Sequence, residues 1–141
     1  MIFMKEKIIL LTFIVLGVSF SSCGGDEEKF RYHLENGIDL IFQARIQEAE
    51  VELNKALRQK PNSHEAIYYL GACRRSLGDV EGAKARFEEA IKLNPTYAEP
   101  YLGLALIYQD VYQDRDMACQ YFLMAEDLGM KSLMDYTKRC R

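Results

Sequence analysis

The stretch HEAIYYLGACRRSLGDVEGAKARFEEAIKLNPTY, residues 64–97, decides the fold of this chain of 141 residues. Apolar and small side chains recur in it at helical spacing in two runs, 64–77 and 80–93. Such spacing places these side chains on one face of each run and predicts two amphipathic helices. Gly78 and Asp79 stand between the runs, where the chain must turn. The stretch is therefore predicted to form a helical hairpin.

Residues at the expected helix ends support these boundaries. Asp79 is predicted to be the N-cap of the second helix, because its carboxylate can accept hydrogen bonds from the first free N–H groups. Thr96, with Glu99 three residues later, predicts a capping box at the start of the following helix. Pro61 and Pro95 end the helices before them, since proline cannot continue a helix.

The same hairpin recurs along the chain. Units that begin at Phe30, His64 and Ala98 lie thirty-four residues apart, which gives the repeats 30–63, 64–97 and 98–131. The first unit keeps, at the same offsets, Gly37, Ala49, Leu53, Ala56 and Pro61. The third keeps Tyr101, Leu104, Ala105, Tyr108 and, after one inserted residue near Tyr112, Ala118, Phe122 and Ala125. This periodicity predicts a solenoid whose further helix pairs are 30–43 with 46–59 and 98–111 with 114–128.

The second unit carries a recognisable skeleton: Leu70-Gly71, Leu77-Gly78-Asp79, Ala83, Phe87, Ala90 and Asn94-Pro95. This skeleton resembles the tetratricopeptide repeat (TPR). The second half of the third unit also resembles the related Sel1-type repeat, with Ala118, Tyr121, Phe122, Ala125 and Gly129. The resemblance implies an all-α fold, an α-solenoid of three TPR helix–turn–helix repeats. Residues 132–141 are predicted to form a capping helix that completes a TPR domain at 30–141 and covers the last apolar face with Leu133, Met134 and Tyr136.

The N-terminus is a separate segment. Lys5 and Lys7 flank the start of the uncharged apolar run IILLTFIVLGVSF at 8–20. A membrane-spanning helix needs roughly 20 such residues, whereas a signal-peptide core takes about 7–15. The thirteen residues of this run therefore favour a signal peptide.

Cys23 follows this run after two serines, and the segment resembles a bacterial lipoprotein signal in which Phe20 replaces the usual leucine. The resemblance implies a signal peptide at 1–22, acyl chains such as palmitate on Cys23 and a lipidated tether at 23–29. An uncleaved signal anchor and a conventionally cleaved export signal, with an incidental cysteine, are the alternatives.

The amino-acid composition of the chain argues against several classes of function. The formal net charge is −3, and acidic and basic residues are interspersed from Asp26 onward, so no basic surface for nucleic acid is expected. The chain has no tryptophan, two histidines and four cysteines. Because neither His33 nor His64 has a cysteine or acid at ligand spacing, and no nucleophile–base pair can be assembled, we predict no metal site, no cofactor and no enzymatic activity.

The TPR resemblance also implies a binding groove, because the first helices of TPR units line a concave surface that holds a peptide or helix of a partner. By position this groove would be lined by Leu34, Ile38, Phe42, Tyr68, Tyr69, Arg75, Leu102, Leu106 and Gln109. Tyrosine and arginine most often carry interface energy, so Tyr68, Tyr69 and Arg75 are the predicted hot spots. Ile38 and Leu102 fit the helix core equally well. The lysine and asparagine with which some TPR proteins hold a C-terminal carboxylate are absent, and an amphipathic or apolar partner segment is expected.

Two cysteines are predicted to lie opposite each other. If 114–128 and the terminal segment form a hairpin turning at Gly129-Met130, residues whose numbers sum to about 259 face each other, as Cys119 and Cys140 do. A disulfide is possible when the Cα atoms are within about 7 Å. The alternative is a small buried Cys119 and a free thiol at Cys140.

These patterns together predict a membrane-anchored, protein-binding adaptor of a bacterial cell envelope, held by lipid on the periplasmic or surface face of a membrane. A protein segment in the groove and the membrane are the expected partners, with no nucleic acid and no small-molecule substrate. The alternatives are a self-associating structural subunit of an envelope assembly and a regulatory subunit of a cell-wall enzyme.

Overall fold

The computed structural model describes residues 23–141, and the predicted signal peptide at 1–22 lies outside them. The described residues contain helices and connecting turns but no strand. The helices are α1 (Cys23–Phe42), α2 (Ile46–Gln59), α3 (His64–Ser76), α4 (Val80–Leu93), α5 (Glu99–Asp110), α6 (Arg115–Asp127), a 3₁₀ turn (Lys131–Leu133) and α7 (Met134–Thr137). Each helix packs on the next one in the chain. The predicted all-α solenoid of three helix pairs is confirmed.

The first helix begins seven residues earlier than the sequence suggests. Residues 23–29, predicted to be a tether, form the first turns of α1. Asp26 stands in its first turn, where a negative charge is favoured by the helix dipole. Lys60 at the end of α2 lies 3.6 Å from the Glu27 carboxylate and 4.9 Å from the centre of the Phe30 ring. These contacts join the start of α1 to the second helix.

Side-chain caps fix three of the helix starts. The side chains of Ser63, Asp79 and Asp114 accept backbone N–H bonds at the starts of α3, α4 and α6. The predicted capping box at Thr96 is wrong, because the Thr96 hydroxyl donates to the Asn94 side chain, 2.8 Å away. Helix α5 begins instead with Pro100 near its N-terminus and with no side-chain cap.

Phe87 joins the second unit to the third. Its side chain is only 1% exposed. A Cβ atom placed on Gly71 of α3 or on Gly103 of α5 would come within 2.7 Å of the Phe87 ring. The ring is therefore held between two helix backbones that only glycine allows so close, and this sets the spacing of the units.

The C-terminal cap is shorter than predicted. Instead of one helix over 132–141, the segment forms a 3₁₀ turn and a single turn of α-helix. Leu133 and Thr137 are buried, and the Tyr136 ring stacks on Phe122 at 5.3 Å. Met134, predicted to cover the last apolar face, is half exposed because a helix of four residues can bury only one side.

Candidate partner-binding surface

The first helices of the three units form one layer. Helix α3 contacts both α1 and α5, whereas the second helices α2, α4 and α6 make no contact with one another in the described part of the chain. A stack in which one layer is more closely spaced than the other curves toward the closer layer. We call the solvent-facing side of α1, α3 and α5 the inner surface, and the predicted groove residues belong to these helices.

The first unit contributes less to the inner surface than the sequence suggests. Leu34 was predicted as a groove residue but is 9% exposed and belongs to the core cluster of Leu53 and Leu70. This cluster combines residues of α1, α2 and α3, so Leu34 lies between these helices. Ile38 is half-buried and packs against the same cluster, and Phe42, at the end of α1, is 84% exposed.

Three tyrosines of the second unit meet at the start of α3. The Tyr68 ring centre lies 5.0 Å from that of Tyr69 and 5.5 Å from that of Tyr97, each at an edge-to-face angle. Tyr68 also contacts Phe87, with ring centres 5.7 Å apart, and Tyr97 contacts His64. We call Tyr68, Tyr69 and Tyr97 the aromatic corner.

The environment of the aromatic corner keeps its hydroxyls neutral. Burial raises the pKa of Tyr68 to about 12. The pKa values of Tyr69 and Tyr97 are also raised, mainly by burial and to a smaller extent by nearby carboxylates. The carboxylates are those of Glu65 and Glu99. Neutral phenols remain able to donate hydrogen bonds at any physiological pH.

The charged groups of the inner surface are placed at opposite ends of α3. Glu65 is the second residue of α3 and Glu99 the first residue of α5, whereas Arg75 lies in the last turn of α3. Neither carboxylate nor the Arg75 guanidinium takes part in an ion pair within residues 23–141. These charges are available to a partner.

The third unit supplies an apolar strip and a cleft. Leu102 and Leu106 are half-buried and pack against the core cluster that contains Phe122. Gln109 is exposed and lines a cavity of about 390 Å³, whose other walls include Phe122 and the Cys119–Cys140 bridge.

The cysteines differ in state. A disulfide joins Cys119 to Cys140, with the Cα atoms 5.3 Å apart, as the hairpin geometry predicts. Cys73 is free and buried, and burial, with the charge of Glu50, raises its thiol pKa to about 11. A thiol with such a pKa is a poor nucleophile at neutral pH.

Among residues 23–141 there is no group of three or more histidine, cysteine or acidic side chains that could hold a metal ion. No helix in the same residues is both long and apolar enough to cross a membrane.

The sequence did not predict a binding role for three residues of this site, Glu65, Tyr97 and Glu99. A signal for the two acids was present, because Glu65 and Glu99 occupy the second position of consecutive units, thirty-four residues apart. Tyr97 is the last residue of its unit and carries no such signal.

The chain is similar to known repeat proteins. A family model described as TPR repeat matches residues 74–111, from the end of α3 through α5. U-box domain-containing protein 70 of Oryza sativa subsp. japonica is 27% identical over 82 residues, which is 58% of this chain and 10% of that protein. The crystal structure of MamA has 25% sequence identity and a TM-score of 0.62, covering 71% of this chain and 58% of MamA.

The chain thus spans about a tenth of the U-box protein and less than two thirds of MamA. The family match and the likeness to MamA support a TPR-type solenoid and a role as a protein-interaction scaffold.

Proposed function

We propose that this protein is an adaptor of a bacterial cell envelope, which docks a segment of a partner protein on its inner surface and is held at a membrane by lipid on Cys23. The docking proposal rests on the accessibility of three side chains in the second unit. Tyr68 and Tyr69 remain partly accessible, and Arg75 is exposed without a counter-ion within the described chain. Residues of these types, when clustered on a concave surface, supply most of the binding energy of interfaces.

The shape of the surface favours an extended or helical segment rather than a small molecule. The aromatic side chains of α3 and the half-buried Leu102 and Leu106 of α5 lie on two helices that are in contact. An apolar strip across neighbouring helices can receive the apolar face of an amphipathic helix, or alternate side chains of a strand.

The membrane anchor is supported by the N-terminal sequence pattern. Cys23 is the first residue of α1, seven residues before Phe30, the first buried side chain of the chain as described. Seven residues of helix span about 10 Å along the helix axis. The Cys119–Cys140 disulfide is compatible with export to an oxidising compartment.

Affinity capture from a bacterial envelope extract tests the docking proposal. Tyr68→Ala combined with Arg75→Ala should reduce the captured partner by about tenfold or more, as expected for interface hot spots. Tyr32→Ala combined with Arg58→Ala is the matched control, because it removes the same residue types at exposed positions. Identical partners for wild type and the first variant would refute the assignment.

The experiment must distinguish unfolding of the double variant from loss of its partner-binding side chains, because Tyr68 also packs on Phe87. Arg75→Glu alone changes an exposed side chain and reverses its charge. We expect it to weaken capture while the helical circular dichroism and the melting temperature stay at the wild-type values.

The anchor is tested by Cys23→Ala in a bacterial host. The wild-type protein should partition into membranes and carry the mass of its acyl chains, and the variant should do neither. A variant that still partitions into membranes, with the same mass as wild type apart from the substitution, would contradict lipidation.

A second candidate, a self-associating subunit, is favoured by the exposed apolar side chains of the first unit. Phe42 is 84% and Val51 is 54% exposed. Light scattering over a range of protein concentrations tests it: a mass that rises with concentration and falls in Phe42→Ser supports self-association, and a monomer throughout refutes it.

A further inference from the structure

The aromatic corner is bordered by two carboxylates that belong to different units. Glu65 stands at the start of α3 and Glu99 at the start of α5, and these two helices are in contact. The rings of Tyr68, Tyr69 and Tyr97 lie edge to face, with centres 5.0 and 5.5 Å apart. Two carboxylates thus stand at the starts of the helices that bear or adjoin this cluster, and the charges of both act on Tyr69 and Tyr97.

The carboxylates of the solenoid differ in whether they have a counter-ion. Some are paired, such as Glu50 with Arg74 at 2.8 Å and Glu52 with Lys55 at 2.6 Å. Glu65 and Glu99 have no such partner in the described part of the chain. The hydroxyls of the three tyrosines form no hydrogen bond there either, and no polar side-chain atom of the described residues is both fully buried and unsatisfied. None of the three hydroxyl oxygens is therefore fully buried.

A cation is the chemical group that all of these features favour. The faces of tyrosine rings attract a guanidinium or ammonium group, carboxylates pair with it, and free phenol oxygens can accept its hydrogen bonds. An acidic group would be repelled by Glu65 and Glu99, and an apolar group would leave both carboxylates without a partner. Arg75 forms no ion pair with either carboxylate in the described chain, and ten residues, about 15 Å along a helix, separate it from Glu65.

We propose that the aromatic corner, with Glu65 and Glu99, is a subsite for an arginine or lysine side chain of the docked partner segment. This inference rests on the proposed function, and it names the chemistry of the partner. Because Arg75 lies at the opposite end of α3, the basic side chain also orients the segment, with its basic flank toward the starts of α3 and α5.

Peptide binding to the full-length chain in detergent tests the subsite. The probes are the blocked tripeptides Leu-Arg-Leu, Leu-norleucine-Leu and Leu-Glu-Leu, followed through the NMR signals of ¹³C-labelled tyrosine rings. We expect Leu-Arg-Leu to shift the signals of Tyr68, Tyr69 and Tyr97 with a Kd about fivefold below that of the norleucine peptide. Leu-Glu-Leu should bind more weakly than either.

Matched variants assign this preference to the two carboxylates. Glu65→Gln with Glu99→Gln should abolish the fivefold preference, so that the arginine and norleucine peptides bind with the same Kd. Glu28→Gln with Asp127→Asn removes the same charge at exposed positions and should keep the preference.

The outcomes separate the two proposals. Equal binding of the arginine and norleucine peptides, or a preference that survives in Glu65→Gln with Glu99→Gln, would overturn the basic subsite and leave the docking surface in place. If none of the three peptides shifts the tyrosine signals, both the subsite and the docking surface on α3 are refuted.

Discussion

Replacing Gly71 by alanine should loosen the junction between the second and third units. The added Cβ would lie 2.7 Å from Cε1 and 2.8 Å from Cδ1 of Phe87. The ring cannot retreat, because its far side is held by Gly103, where a Cβ would be 2.7 Å from Cε2. Overpacking of this kind costs about 1–3 kcal/mol, and the better helix propensity of alanine returns up to about 1 kcal/mol. We expect a net loss of about 1–2 kcal/mol.

Urea unfolding followed by circular dichroism measures this loss, with a midpoint that falls at an unchanged slope. Phe87→Leu provides a shorter side chain, so Gly71→Ala should cost less in that background, with a coupling energy of about 1 kcal/mol. Gly25→Ala is the control, because no atom lies within 4 Å of its Cβ position. A Gly71→Ala protein as stable as wild type would refute the wedged position of Phe87.

Three further perturbations follow from local geometry. Gly78 has a φ of 83° and no atom near its Cβ position, so Gly78→Ala should cost about 1–2 kcal/mol through backbone strain alone, measured by thermal unfolding. The pKa of Glu52 is lowered from 4.5 to about 2, mainly by a hydrogen bond from Lys55. The folded state therefore binds fewer protons than the unfolded state, and about 1–2 kcal/mol of stability, present above pH 4.5, is lost as the pH falls toward 2. Acid titration of Glu52→Gln should lack this loss, and an unchanged titration would contradict the ion pair. Reduction of the disulfide by dithiothreitol should lower the free energy of unfolding of the wild type by about 2–4 kcal/mol. The double variant Cys119→Ser with Cys140→Ser should be unaffected. If dithiothreitol destabilises both proteins equally, the disulfide is excluded.

Most of the fold could be predicted from the sequence, because a helix pair is encoded locally. The six helices of the three units follow from residues within each unit, and the Asp79 cap lies three residues from the N–H group it binds. One error lies where a distant residue makes contact. Helix α1 starts at Cys23 and not near Phe30 as predicted, and Lys60, far along the chain, contacts this extension through Glu27.

The candidate surface could be predicted only in part, since position in a repeat gives the helix and the approximate face. Tyr68, Tyr69 and Arg75 are partly accessible on α3, whereas Leu34, at the position equivalent to Tyr68 in the first unit, is buried. Equivalent positions differ because each is covered by a different neighbour. Burial depends on the adjacent unit, which the periodicity does not describe.

The sequence by itself determined the period of the solenoid, because small and apolar residues recur in it at offsets of thirty-four residues. The tertiary structure decided which side chains remain for a partner. It brings Tyr97 to Tyr68 across twenty-nine residues, and places Glu65 and Glu99 beside them without counter-ions in the described chain. The physical reason is that helix formation and packing motifs act over a few residues, whereas the exposure and pairing of a charge depend on every unit that packs around it.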